Sequence, residues 1–109
     1  MADTMIVFYG VRLEVNDCDL DDLESRSHPM QIAAKRVGLE SYWGNFAAPK
    51  ERYFLFVGKL LGKLGVEDRM EIQLNADDFA NTATAVATKL GDAGISHPPL
   101  LHLNYQPDA

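Results

Sequence analysis

The side chains of this 109-residue chain that could do chemistry can each be held against what that chemistry demands. GKLLGKLG, residues 58–65, has the look of a phosphate-binding loop. Such a loop sets four residues between its first glycine and Gly-Lys, and then places a Ser or Thr hydroxyl on magnesium. Here three residues intervene, Leu64 stands in the hydroxyl's place, and LGVED does not continue as the required helix. The stretch instead reads as the end of a strand, with Lys59, Leu61 and Lys63 on one face and Gly58, Leu60 and Gly62 on the other. Glycines along a strand mark a bulge, a bend or the close approach of another backbone.

DCDLDD places Asp17, Asp19 and Asp21 at the first, third and fifth positions of a calcium loop. The sixth position, which needs glycine, is Asp22, and the twelfth, which needs a bidentate glutamate, is His28. A solvated helix start is the better reading, since carboxylates suit the positive end of a helix dipole. His28, His97, His102 and Cys18 show none of the paired spacings of zinc ligands, so neither a metal nor a cofactor is expected. No serine lies in a GxSxG elbow, and Asp17 and Asp19 flank Cys18 with negative charge that opposes a thiolate. No catalytic residue is assigned, and enzymatic activity is the less favoured outcome.

The densest signal is aromatic. Six of the ten aromatic residues, Tyr42, Trp43, Phe46, Tyr53, Phe54 and Phe56, fall within 15 positions, in two runs separated by AAPKE. On a hairpin, alternation sends Tyr42 and Trp43 to opposite faces, and likewise Tyr53 and Phe54, so helices on one side could not bury them all. The uncovered face would then meet another layer or another molecule, and Trp and Tyr are favoured interface anchors. The expected partner-binding residues are Tyr42, Trp43, Arg52, Tyr53, Lys59 and Lys63, the basic members making this neighbourhood positive.

The elements that must position these residues follow from periodicity. MIVFYGVRLEV alternates as a long strand, with Met5, Val7, Tyr9, Val11, Leu13 and Val15 on an apolar face opposite Ile6, Phe8, Gly10, Arg12 and Glu14. Asn16 or Asp17 caps a short acidic helix. Pro29 to Val37 forms a second helix, capped by Ser27 or His28, with Met30, Ile32, Ala33 and Val37 as its buried stripe. The aromatic hairpin is followed by MEIQL, which alternates as a short strand. Asn75 caps a third helix whose stripe of Phe79, Ala83, Val86 and Leu90 is widened by Ala80 and Ala87. LLHLNYQ closes the chain as a last strand, with Leu101, Leu103 and Tyr105 alternating against Leu100, His102 and Asn104. The expectation is a single α+β domain over residues 1–109: a two-layer sandwich whose mixed, mainly antiparallel sheet of about five strands carries helices on one face.

Composition narrows the function classes. The hydrophobic share of 47% and net charge of −6 suit an ordinary globular protein, and no apolar run is long enough for a membrane span. Residues 1–34 carry two basic and seven acidic side chains, residues 35–69 seven and four, and residues 70–109 one and five. An acidic surface repels phosphate backbones, which excludes nucleic acid as the expected partner. MADTMIVFYG lacks a basic n-region, and the lone Cys18 cannot form an internal disulfide, so the expected location is the cytoplasm. The function expected is that of a non-catalytic protein-interaction or self-associating domain, with a homodimer as one form. A small-molecule-binding domain or enzyme with a pocket between sheet and helices, lined by Arg12, Trp43, Arg52 or His102, is the alternative. An immunity or inhibitor protein offering its acidic face to a basic target is a further one.

Overall fold

The structure is a computed structural model, and it describes residues 3–107. Along the chain it runs β1 (Thr4–Val15), a 3-10 turn (Asp17–Asp19), α1 (Leu20–Glu24), α2 (Pro29–Arg36), β2 (Glu40–Asn45), β3 (Tyr53–Gly65), α3 (Ala76–Asp92) and β4 (Leu100–Gln106). The four strands form one sheet in the order β2-β3-β1-β4, and every pairing is antiparallel. This is an α+β fold with split β-α-β connectivity: β1 and β3 are the centre, and helices bridge to the strand added at each edge.

Two expectations are corrected. The sheet has four strands where about five were expected, and it is antiparallel throughout where a mixed sheet was expected. The missing strand is MEIQL. After Gly65 only Arg69 returns to the sheet, in an isolated bridge to Leu64, and the following residues form no ladder. Ile72 alone of this segment is tucked in, against Gly62, where an added Cβ would lie 2.6 Å from its Cδ1. Met70 and Leu74 are exposed.

Alternation along β1 builds two separate apolar clusters, one on each face of the sheet. Val11 and Val15 join Leu55 and Val57 of β3, and onto them pack Leu23 of α1, Ala34 of α2, and Val86 and Leu90 of α3. Ile6 and Phe8 join Phe54 and Phe56 in the other cluster, to which no helix contributes. Yet Phe8 and Phe56 are fully buried there.

The sheet itself does the covering, by rolling up. Gly10 and Gly58 face each other across the central strands, both at φ +153°. A Cβ on Gly58 would sit 2.2 Å from the Tyr9 carbonyl oxygen, and one on Gly10 would sit 2.1 Å from that of Val57. Only paired glycines allow two backbones this close in this conformation, and the strands turn a corner there. A bulge at Leu61, where the register slips between Val7/Gly62 and Phe8/Leu60, adds twist. The bend is measurable: Lys63 Nζ lies 4.9 Å from the ring centre of Tyr42, which is paired with Phe56. In a flat sheet the seven steps of β3 from Phe56 to Lys63 would span about 23 Å. Likewise Gln106, at the far end of β4, accepts a 2.7 Å hydrogen bond from the Tyr42 hydroxyl on the opposite edge strand. Phe46, from the loop after β2, closes the inside of the roll, with its ring 5.4 Å from Phe56 and 5.8 Å from Phe54.

The helices depart from their predicted stripes in an instructive way. In α2 the buried residues are Gln31 and Ala34, whereas Ile32 is 54% exposed. His28 caps the helix by accepting the Met30 N–H at Nδ1 (3.1 Å), and Gln31 Oε1 accepts the His28 N–H (3.2 Å). That reciprocal cap turns Gln31 inward, where its amide donates to the Leu23 carbonyl (3.1 Å). In α3, Asn75 accepts the N–H groups of Asp77 and Asp78, Phe79 meets Tyr9 edge-on at 5.3 Å, and Val86 and Leu90 are buried. Ala80 and Ala87 face solvent, so the stripe is narrower than expected. Among the described residues no helix is long and apolar enough to cross a membrane.

Candidate functional site

The six residues expected to bind a partner do not share one surface. Tyr42 and Lys63 belong to the inner face of the roll, where the ammonium lies over the ring. Trp43 and Tyr53 belong to the helix face, half-buried and 6.4 Å apart. Desolvation, and then the charges of Glu51 and Asp17, push the Tyr53 phenol above its ordinary value. Arg52 lies at the mouth of the roll, paired with Glu14 at 3.1 Å and set over the Phe54 ring beside Arg12. Lys59 pairs with Glu40 at 3.2 Å. The bulge at Leu61 corrects the expected common face of Lys59 and Lys63: Lys59 is in register with Tyr9 on the helix side, and Lys63 with Ile6 on the inner side.

Most of the large apolar side chains left open to solvent on a regular element are elsewhere, on β4. Leu101, Leu103 and Tyr105 are in register with Tyr9, Val7 and Met5 on the helix face. They are 41%, 58% and 53% exposed. The outer edge of β4 makes no strand pairing among the described residues. No Lys, Arg, Asp or Glu occurs in LLHLNYQ, and Pro99 and Pro107 bound it. Charges and prolines within an edge strand are the usual guards against edge-to-edge pairing, and this edge has none. On the inner face, His102 Nε2 donates to the Gly10 carbonyl (3.0 Å), and its ring meets Phe56 edge-on at 5.7 Å. Burial lowers the His102 pKa below its ordinary 6.5, the Gly10 hydrogen bond opposes that shift, and Arg12 adds to it. Asn104 Oδ1 accepts from Arg12 (3.3 Å).

The opposite edge, β2, is flanked by α2 across a groove of about 760 Å³. Arg26, Lys35 and Arg36 line it together with Ile32, Leu39 and Ser41. None of the three cations has an ion pair among the described residues. A neighbouring hollow of about 340 Å³ continues from Arg26 and Ser41 to Trp43. Of the alternative's proposed lining residues, Trp43 alone borders this groove system, and Arg52 lines a separate hollow with Glu14, Asp17 and Tyr53.

The remaining motifs have structural placements. GKLLGKLG is the second half of β3, and its glycines serve the corner and the Ile72 contact. In the acidic run, Asp19 accepts the Asn16 N–H (3.1 Å) and so closes the first turn. Among the described residues no group of three or more His, Cys, Asp or Glu is placed to hold a metal ion. No protein-family model, curated protein or solved structure matches the chain.

What sequence reasoning missed was the exposure of β4. One signal was present: leucines at adjacent positions 100 and 101 cannot both point into one core, and the strand holds no charge. Alternation alone could not show that the strand would lie at an edge, beyond the helices' cover.

Proposed function

We propose that the protein is a non-catalytic protein-interaction domain whose working surface is β4, used as an edge to which a partner adds an extended segment. The observation that carries this reading is the combination on β4 of an open outer edge, three exposed apolar side chains on one face and no charged residue. In such strand addition, the backbone ladder supplies affinity and alternate side chains supply specificity. Tyr42, Trp43, Arg52, Tyr53, Lys59 and Lys63 then act at one remove, holding the roll and the helix face that present β4.

The test is titration with seven-residue peptides, uncharged and alternating apolar with polar, followed through backbone amide shifts. Shifts that map to residues 100–106 support the reading. Shifts confined to β2 and α2, or none at millimolar peptide, overturn it.

A second reading rests on the groove between α2 and β2. Its volume is that of a ligand site, and three unpaired cations beside Ile32 and Leu39 suit an anionic ligand with an apolar part. A rise in melting temperature with medium-chain carboxylates or organic phosphates, abolished by Lys35→Glu with Arg36→Glu, is the expected result. No rise with any of them removes this reading.

A further inference from the structure

We infer that the segment added to β4 is β4 of a second copy, paired antiparallel about a two-fold axis through Leu103; this rests on the strand-accepting reading above. The residues of the strand are self-complementary about that point. Leu103 falls opposite its own copy, Leu101 opposite Tyr105, His102 opposite Asn104, and Leu100 opposite Gln106. The first two pairings lie on the helix face: Leu103 with its copy is apolar, and Leu101 meets the Tyr105 ring, whose hydroxyl is already spent on donating to Asp3 of its own chain, so carbon faces carbon across the axis within about 5 Å.

The register is constrained from several sides. A two-fold axis normal to the sheet keeps each face on its own side, so a shift by one residue would set inward against outward side chains and is forbidden. A shift by two sets Tyr105 against Pro99 in one direction and Leu101 against Pro107 in the other, replacing a ladder donor by proline. Only the register centred on Leu103 pairs all seven residues.

On the inner face the polar groups left over are also complementary. His102 spends Nε2–H on Gly10 and keeps Nδ1 as an acceptor, whereas Asn104 spends Oδ1 on Arg12 and keeps its amide N–H donors. The pair His102 with Asn104 of the second copy therefore brings acceptor and donor together twice. The strand itself brings no charge to the axis, although each copy carries −6 overall. A seven-residue edge contact is small beside the roughly 800 Å² per partner of a standard interface, so the dimer is expected to be concentration-dependent and strengthened by salt, which screens the like charges.

The experiment uses the full chain with Cys18→Ser, since that native thiol is exposed. Leu103→Cys, oxidised with diamide, is expected to give a disulfide-linked dimer. Leu101→Cys and Tyr105→Cys are each expected to form no disulfide-linked dimer alone and to cross-link when mixed, because each is opposite the other. Sedimentation of the unmodified chain is expected to show a monomer–dimer equilibrium that Leu103→Lys weakens at least about tenfold with unchanged circular dichroism. Preferential homodisulfides at 101 or 105 overturn the register. A strict monomer at millimolar concentration, with no cross-link at 103, overturns the second copy as partner. If uncharged peptides still shift β4 amides in that case, the strand-accepting reading stands without it.

Discussion

The two edges of this sheet are built on opposite principles. β2 carries Glu40, whose carboxylate holds both Lys59 and the Leu60 N–H, and it is overlooked by Arg26, Lys35 and Arg36 across the α2 groove. β4 holds no charged residue of its own and its leucines face solvent, while the charges beside it are each engaged with one of its side chains, Arg12 with Asn104 and Asp3 with the Tyr105 hydroxyl. Charge on or beside an edge raises the cost of adding another strand, because the charge must be desolvated or matched. The contrast teaches that, of the two edge strands, only the one without a charged residue of its own presents large apolar side chains to solvent.

The largest expected effect comes from breaking the corner that both edges share. Gly58→Ala puts a Cβ against the Tyr9 carbonyl in a backbone conformation that side chains disfavour. Neither strand can retreat without unrolling the sheet over Phe8 and Phe56. A loss of about 3 kcal/mol or more is expected in urea unfolding, with both edges affected together. A near-neutral result would show that the roll does not depend on this glycine pair.

Next in size is the effect of charge at each edge. Leu103→Lys should shift the chain to monomer in sedimentation, whereas Lys35→Glu, also exposed and beside the other edge, should leave association unchanged. Because position 103 is open to solvent, the stability of the monomer should change by less than about 0.5 kcal/mol. Equal effects of the two substitutions on association would erase the distinction between the edges.

A smaller effect tests the seam where the edges meet. Tyr42→Phe removes the hydroxyl that donates to Gln106 and leaves the ring beneath Lys63. A loss of about 1 kcal/mol is expected, the usual net worth of one such hydrogen bond. An unchanged midpoint would mean that the ring contacts alone hold the seam.

How much of this was legible beforehand depends on whether the signal was local. Alternation in MIVFYGVRLEV assigned both faces of β1 correctly, and Asn75 marked the start of α3, because pleat and cap are properties of a few neighbouring residues. The roll was out of reach, since it depends on Gly10 meeting Gly58 across 48 residues, and a lone strand glycine permits several outcomes. The same reason governs the aromatic hairpin. Its pairing was visible, but whether Phe54 and Phe56 would be covered depended on a curvature that only the paired strands define. Lys59 and Lys63 were assigned to one face because alternation counts every residue, and the bulge at Leu61 consumes one. The candidate surface on β4 was partly legible in its missing charges, but an edge is a property of topology.

The smallest effect is that of pH on the β4 side. His102 has a folded pKa below its unfolded value of 6.5, chiefly through burial against the sheet. Between those two values the unfolded chain binds more protons, so stability rises with pH across that interval. The contribution of neutral His102 is therefore fully present above about pH 6.5 and is lost as pH falls through the folded pKa. His102 is only part-buried, which keeps the effect small. Other groups titrate in the same range, so the readout is a difference: the melting temperature of the wild type minus that of His102→Gln, followed from about pH 7.5 down to 5. That difference should decline on acidification, because glutamine can donate to the Gly10 carbonyl without acquiring a charge. If β4 also pairs with its copy, protonation removes the Nδ1 acceptor that faces Asn104, and association should weaken over the same interval in the wild type and not in the glutamine variant. A decline in stability without a matching change in association would place the titration inside the roll alone, and so would separate the inner face of β4 from its outer edge.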